Sequence, residues 1–150
     1  MYNFRNKKME SNQFEILKDE LKMMQSQMDK YDGFATSIKT WTLTLWGVSV
    51  GWAFQSGIKE MLAISLVLLM AFWLFEGINK TYRMNYKKRR DEVAVVLQHV
   101  FKTGELPDGI SAPQFPNHDF QHAMRNALLL HISVPYLALG AVSVVLYFLI

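Results

Sequence analysis

The chain of 150 residues contains no cysteine, which removes disulfides, zinc–thiolate sites and thiol catalysis from consideration. It is equally poor in signatures of reaction chemistry. No glycine-rich phosphate loop, nucleophile elbow or paired-carboxylate site can be found along it. The opening residues MYNFRNKKMESNQFEILKDELKMM are polar and mixed in charge, without the apolar core and small-residue cleavage site of a signal peptide. The net charge is only +3, and Lys and Arg crowd the N-terminal region and the segment from Lys80 to Arg90. Such placement marks orientation at a membrane more than affinity for nucleic acid, which is not an expected partner. Neither glycine nor proline interrupts the chain between Ile78 and Thr103. A helix entering that stretch meets no breaker inside it.

What is present is hydrophobic residue, half of the composition, gathered in blocks rather than spread at helix or strand period. Thr40 to Ile78 holds two apolar runs joined by a few polar residues. It reads as a transmembrane helical hairpin. Met61 to Phe75 carries one polar side chain, Ser65, and with its flanks reaches the roughly 20 residues that a hydrocarbon core of about 30 Å demands. The first arm, Ala35 to Ser56, is less apolar. At 100° per residue its small and polar residues fall on two opposite faces, Thr40, Thr44, Gly47, Gly51 and Gln55 on one and Thr42, Ser49, Ala53 and Ser56 on the other. Gly47 and Gly51 form a GxxxG spacing, which allows close helix packing in lipid; a specific dimer motif and a chance spacing are the other readings. Thr40, Thr44, Gly47, Ser49, Gly51 and Gln55 are therefore candidates for helix packing or pore lining.

From Asn12 to Tyr31 the residues Phe14, Leu17, Leu21, Met24, Met28 and Tyr31 follow the a/d spacing of a heptad. Asn12 is expected to cap this helix, with Glu15 three positions on, and Asp32–Gly33 to stop or bend it. Beyond the second span, Val93, Val96, Leu97, Val100 and Phe101 form a matching stripe. With the turn centred between Gly57 and Ile58, facing residues of the two arms have numbers adding to about 115. That register sets Phe14 opposite Phe101, Leu17 near Leu97 and Leu21 near Val93 or Ala94, and it predicts a two-helix cytoplasmic stalk whose exposed remainder can associate with other copies. It also pairs Lys39 with Glu76, either as a structural clasp or as an ion or ligand gate. Lys87, Lys88, Arg89 and Arg90 are expected at anionic lipid headgroups. Trp41, Trp46, Trp52 and Trp73 read as interface anchors and packing.

Residues 104–117 form a proline- and glycine-rich connector and a candidate recognition loop. A polar helix is expected from about His118 and feeds into a third apolar run, Ala127 to Ile150, which Pro135 and Gly140 can kink but do not forbid. His118, Asp119 and His122 have a spacing that could place metal ligands on one face, but without a further ligand a solvated helix is the plainer reading, and no metal or cofactor is called for. Arg125 and His131 share the R-x5-H spacing of the ribonuclease motif in HEPN domains. His131, however, lies inside the apolar run, where a helix-packing role suits its imidazole better.

The string from Tyr31 through Thr36-Ser-Ile-Lys-Thr-Trp41, followed by Phe72-Trp-Leu-Phe-Glu76 and a basic helix ending in Arg89-Arg-Asp-Glu92, resembles a family of small bacterial membrane proteins of unknown function. Their hairpin is framed by a TIKxW lead-in and an FWxxE exit, and Ser37 departs from the threonine expected there. The resemblance covers about two thirds of the chain, supports the hairpin and marks Lys39, Trp41, Trp73 and Glu76, but implies no reaction. In architecture alone the chain resembles the effector subunits of bacterial antiphage systems.

The expectation is thus an all-α integral membrane protein with three transmembrane helices and a cytoplasmic stalk. Its segments are an amphipathic helix at 1–34, a hairpin at 35–78, a cytoplasmic helix at 79–103, a loop and short helix at 104–126, and a third span at 127–150. It is not expected to be an enzyme. The positive-inside rule sets it in the bacterial inner membrane with its N-terminus cytoplasmic and its C-terminus outside. The expected role is a homo-oligomeric effector or channel-like protein that alters membrane permeability in answer to a cytoplasmic signal or partner, with antiphage defence as a candidate setting and lipids as its other partners. The alternative is a non-conducting anchor or immunity-type protein that binds a cytoplasmic partner.

Overall fold

The computed structural model describes residues 2–107, 109 and 120–149, with side chains from residue 12 onward except Phe120. The described residues are all-α: α1 spans Tyr2–Ser56, α2 Glu60–Thr103, α3 Phe120–Ala127 and α4 Leu130–Leu149. His118, Asp119 and most of the 104–117 connector lie outside the described residues.

α1 runs through Asn12 and through Asp32–Gly33 without a break, contrary to both boundary expectations. Asn12 lies inside the helix and so caps nothing. An interior glycine costs a helix only about 1 kcal/mol, and Gly33 keeps a helical φ. The stop comes at Gly57, whose φ of 69° is the left-handed conformation of a helix C-terminus, with its N–H bonded to the Ala53 carbonyl at 2.9 Å. α2 then starts within three residues, and Gly104, at φ 75°, ends it in the same way.

The polar helix does not feed straight into the third apolar run. α3 ends at Ala127 and α4 starts at Leu130. In an unbroken helix the Ala127 carbonyl would accept the N–H of His131. Here it accepts the Trp73 Nε1–H and the Ser133 hydroxyl, both at 2.8 Å.

The chain divides into two compact units. The first combines Met1–Lys30 with Tyr82–Asn117. Its described core holds Leu17, Met24, Met28 and Val93, with Phe14, Leu21 and Leu97 half-buried. Phe101 is 92% exposed and does not pack on Phe14. Side-chain contacts joining the arms in this unit include Arg89 on Glu20, whose numbers add to 109, and Arg90 on Gln25, whose numbers add to the expected 115.

The second unit combines Tyr31–Thr81 with His118–Ile150. Leu69, Ile132 and Tyr136 form its apolar centre, flanked by Trp46, Phe72, Trp73 and Leu139. Much of what is buried around them is small or polar: Ala53, Ser65 and Ser143 have no exposure at all. Large apolar side chains such as Val67, Met70, Leu137 and Phe148 point outward. That inside-out distribution is how helices pack in lipid, where close approach rather than exclusion of water holds them together. Among the described residues two helices, α2 and α4, are long and apolar enough to cross a membrane.

Candidate functional site

Within the second unit the buried polar side chains of α1, α2, α3 and α4 are linked in three groups. The first begins with Ser65, the single polar residue of its apolar run. Its hydroxyl bonds the Leu62 carbonyl at 2.7 Å and lies 3.2 Å from the Ser143 hydroxyl of α4. Ser143 in turn accepts the Trp46 Nε1–H of α1 at 2.8 Å, so one contact ties three helices. In hydrocarbon such bonds have no water to replace them.

The second group centres on Glu76. Its Oε1 lies 3.3 Å from Lys39 Nζ, and its Oε2 accepts the Tyr136 hydroxyl at 2.8 Å. The Glu76 side chain is 6% exposed and that of Lys39 53%. Lys39 therefore reaches the buried carboxylate while its amine stays largely outside, as long basic side chains do at membrane interfaces. Thr42, buried on α1, gives its proton to the Ile38 carbonyl at 2.7 Å and lies beside the Tyr136 hydroxyl. A carboxylate at this depth is held by one charge partner and one neutral donor, contributed by two other helices.

The third group joins α3 to α2. Thr81 accepts the Asn126 amide at 2.9 Å and donates to the Gly77 carbonyl at 2.9 Å. A Cβ at Gly77 would sit 2.5 Å from Ala127 Cβ and 2.9 Å from the Ala123 carbonyl oxygen, so only glycine permits this approach. Asn79 donates to the Tyr31 carbonyl at 3.0 Å. Its Oδ1 is, among the described residues, the one buried side-chain polar atom without a hydrogen-bond partner.

Comparison with known proteins gives no match. No protein-family model, no curated protein and no solved structure was found to be similar to the chain.

The structure thus brings Lys39 and Glu76 together, as it does Leu17, Met24, Met28 and Val93 in the core of the first unit, while the expected packing or pore-lining residues of α1 stay apart from these. Thr40, Thr44, Gly47, Gly51 and Gln55 are exposed, and a Cβ at Gly47 or Gly51 would meet nothing within 4 Å. Ser49 is half-buried on the opposite side, where Thr42 and Ala53 are buried. Lys88 is exposed and Lys87 half-buried. Arg89, expected at headgroups, is instead held inside the protein: its side chain is 11% exposed and that of Glu20 2%, with Nε and Nη2 on the two carboxylate oxygens at 2.8 and 3.2 Å. This fork-to-fork bond is the main cause that pushes the Arg89 guanidinium above its ordinary pKa. Arg90 bonds Asp91 and reaches Gln25 at 3.3 Å. His131 is exposed.

Sequence reasoning missed Tyr136, Ser143, Gly77, Asn79 and Glu20. A signal existed for Gly77, Ala123 and Ala127, whose small side chains and i, i+4 spacing on α3 permit close packing. None existed for Glu20, which sits among charged residues of an otherwise ordinary heptad.

Proposed function

We propose that the chain is a three-span protein of the bacterial inner membrane, with a cytoplasmic stalk, that assembles with itself into a channel-like effector. The observation that supports this reading most is the uncovered polar face of α1. Ser37, Thr40, Thr44, Gly47, Gly51 and Gln55 repeat at three- and four-residue intervals and are all exposed, while Ile38, Thr42 and Ala53 on the other side are buried against the chain's own helices. A span whose small-residue stripe is left bare after its own hairpin is packed favours association with further helices. In this reading the stripe of each copy meets that of its neighbours, and a signal at the stalk or at the 104–117 loop changes their packing until the hydroxyls and Gln55 face water.

A second reading has its own support. Ser37, Thr40 and Thr44 each give their proton to the carbonyl four residues back, at 3.2, 3.1 and 2.9 Å, so this face tolerates lipid without a partner. That favours a non-conducting anchor for a cytoplasmic protein. Membrane depolarisation and dye release on induced expression separate the two. The effector reading expects both, and expects Gly51→Leu to abolish them; an intact barrier in cells carrying the wild-type protein contradicts it.

A further inference from the structure

In the second unit a buried acceptor without a donor stands one helical turn from a buried carboxylate. Glu76 and Asn79 are both buried and are i, i+3 neighbours on α2, a spacing that sets Cβ atoms about 5–6 Å apart. A helical side chain leans over the turn that precedes it, so Asn79 covers the turn that carries Glu76. Its amide hydrogen is on the Tyr31 carbonyl at 3.0 Å, and its Oδ1 is without a hydrogen-bond partner. An acceptor left bare at that depth is costly. The nearby hydroxyls give their hydrogens elsewhere: Thr42 to the Ile38 carbonyl, Thr81 to the Gly77 carbonyl and Tyr136 to Glu76. Lys39 lies eight residues along α1 from Tyr31, more than two helical turns away. Among the described residues of this unit, the group one turn from Asn79 that can still gain a hydrogen is the Glu76 carboxylate. Ionisable side chains at membrane depth are the groups on which proton-binding functions are built.

We propose that Glu76 is a proton-binding site and that the bound proton is donated to Asn79 Oδ1. A proton from water adds to Oε1, the oxygen that faces Lys39. The ion pair is thereby broken, the Lys39 ammonium, already 53% exposed, passes to solvent with its charge unchanged, and the new hydroxyl turns to Asn79. Oε2 keeps the Tyr136 hydroxyl. The charged and titratable groups around the carboxylate are Lys39 of α1 and Tyr136 of α4, with half-buried Lys80 following on α2 itself and Arg83 further along that helix in the first unit. α3 sets Ala123 and Ala127 against Gly77 and leaves His122 and Arg125 exposed. Lys39 stands between Ser37 and Thr40 of the bare stripe, so proton uptake loosens α1 from α2 at the end of that stripe nearest the stalk. The proposal rests on the membrane reading above but not on assembly or conduction.

Infrared difference spectra of the full chain in lipid vesicles, taken as the pH is lowered, test it. The wild-type spectrum less that of Glu76→Gln is expected to contain one carboxylic-acid C=O band that grows on acidification. The same subtraction in an Asn79→Leu background is expected to show that band at higher frequency, the sign of a lost hydrogen bond. Should Asn79→Leu misfold, the ion pair supplies a second measurement: Lys39→Met is expected to be less stable than wild type at neutral pH and equal to it once Glu76 is protonated. Absence of a Glu76 band at every pH at which the protein stays folded overturns the proposal. So does a band unmoved in Asn79→Leu, which assigns a water to Asn79 instead, or a Lys39→Met loss that persists undiminished in acid. A chain that fails to enter the vesicles contradicts the membrane reading itself, whereas an inserted chain without the band contradicts the proton site alone.

Discussion

Glu76 illustrates how one residue's environment decides its worth. Its carboxylate is buried, yet the lysine that pairs with it is half in solvent, so the pair is weaker than a fully enclosed one. Stripping one partner from a buried pair costs about 3–5 kcal/mol, and the exposure of Lys39 reduces that to about 1–2 kcal/mol for Lys39→Met. Glu76→Gln keeps an oxygen for Tyr136 and leaves no buried charge, so it is expected to destabilise less than Lys39→Met. Unfolding titrations in mixed micelles give the order, and a larger loss in Glu76→Gln would contradict it. Two glycines provide the second contrast at this scale. Gly77→Ala drives a methyl into Ala127 and the Ala123 carbonyl, displacing α3, and is expected to cost about 1–3 kcal/mol. Gly51→Ala meets nothing. It is expected to leave the fold unchanged or to stabilise it by up to about 1 kcal/mol, while wedging apart any neighbouring helix. Equal effects of the two substitutions on the micelle titration would refute this distinction.

At the scale of the element, the Glu20–Arg89 pair fixes how α1 and α2 meet in the first unit. Arg89→Met leaves the Glu20 carboxylate buried alone and is expected to cost about 3–5 kcal/mol, whereas Glu20→Leu combined with Arg89→Met is expected to be close to neutral. A double-mutant cycle measures this, and additive losses would show that the two groups act independently. Because the pKa of Arg89 is raised on folding, its contribution is fully present below the ordinary guanidinium value and is lost only as pH climbs past the raised one. Stability is therefore expected to gain or lose nothing through Arg89 between neutral pH and pH 10.

The hairpin turn and the meeting of Lys39 with Glu76 were legible in the sequence, because a short glycine-containing turn pins the register of the residues near it. Phe101 follows the apolar spacing of its stripe but, two residues from the end of α2, stands 92% exposed, which spacing alone does not reveal. Nor does the a/d stripe name Glu20, which is buried beside it on Arg89. α1 continues through Gly33 because an interior glycine costs a helix only about 1 kcal/mol, and the break after Ala127 has no local glycine or proline to announce it and shows only in tertiary bonds such as that from Trp73 to the Ala127 carbonyl.

For the whole molecule, the polar groups are sorted by partner. Ser65, Ser143, Trp46, Glu76, Tyr136, Thr81 and Asn126 are satisfied inside the second unit, while the stripe from Ser37 to Gln55 faces away from it. We propose this bare stripe as the interface between copies. The mass of the wild-type protein in lipid nanodiscs tests it most directly. A multiple of 17.4 kDa, reduced to the single-chain mass by Gly51→Leu, is the predicted result, and a single chain of 17.4 kDa in the wild type would contradict it.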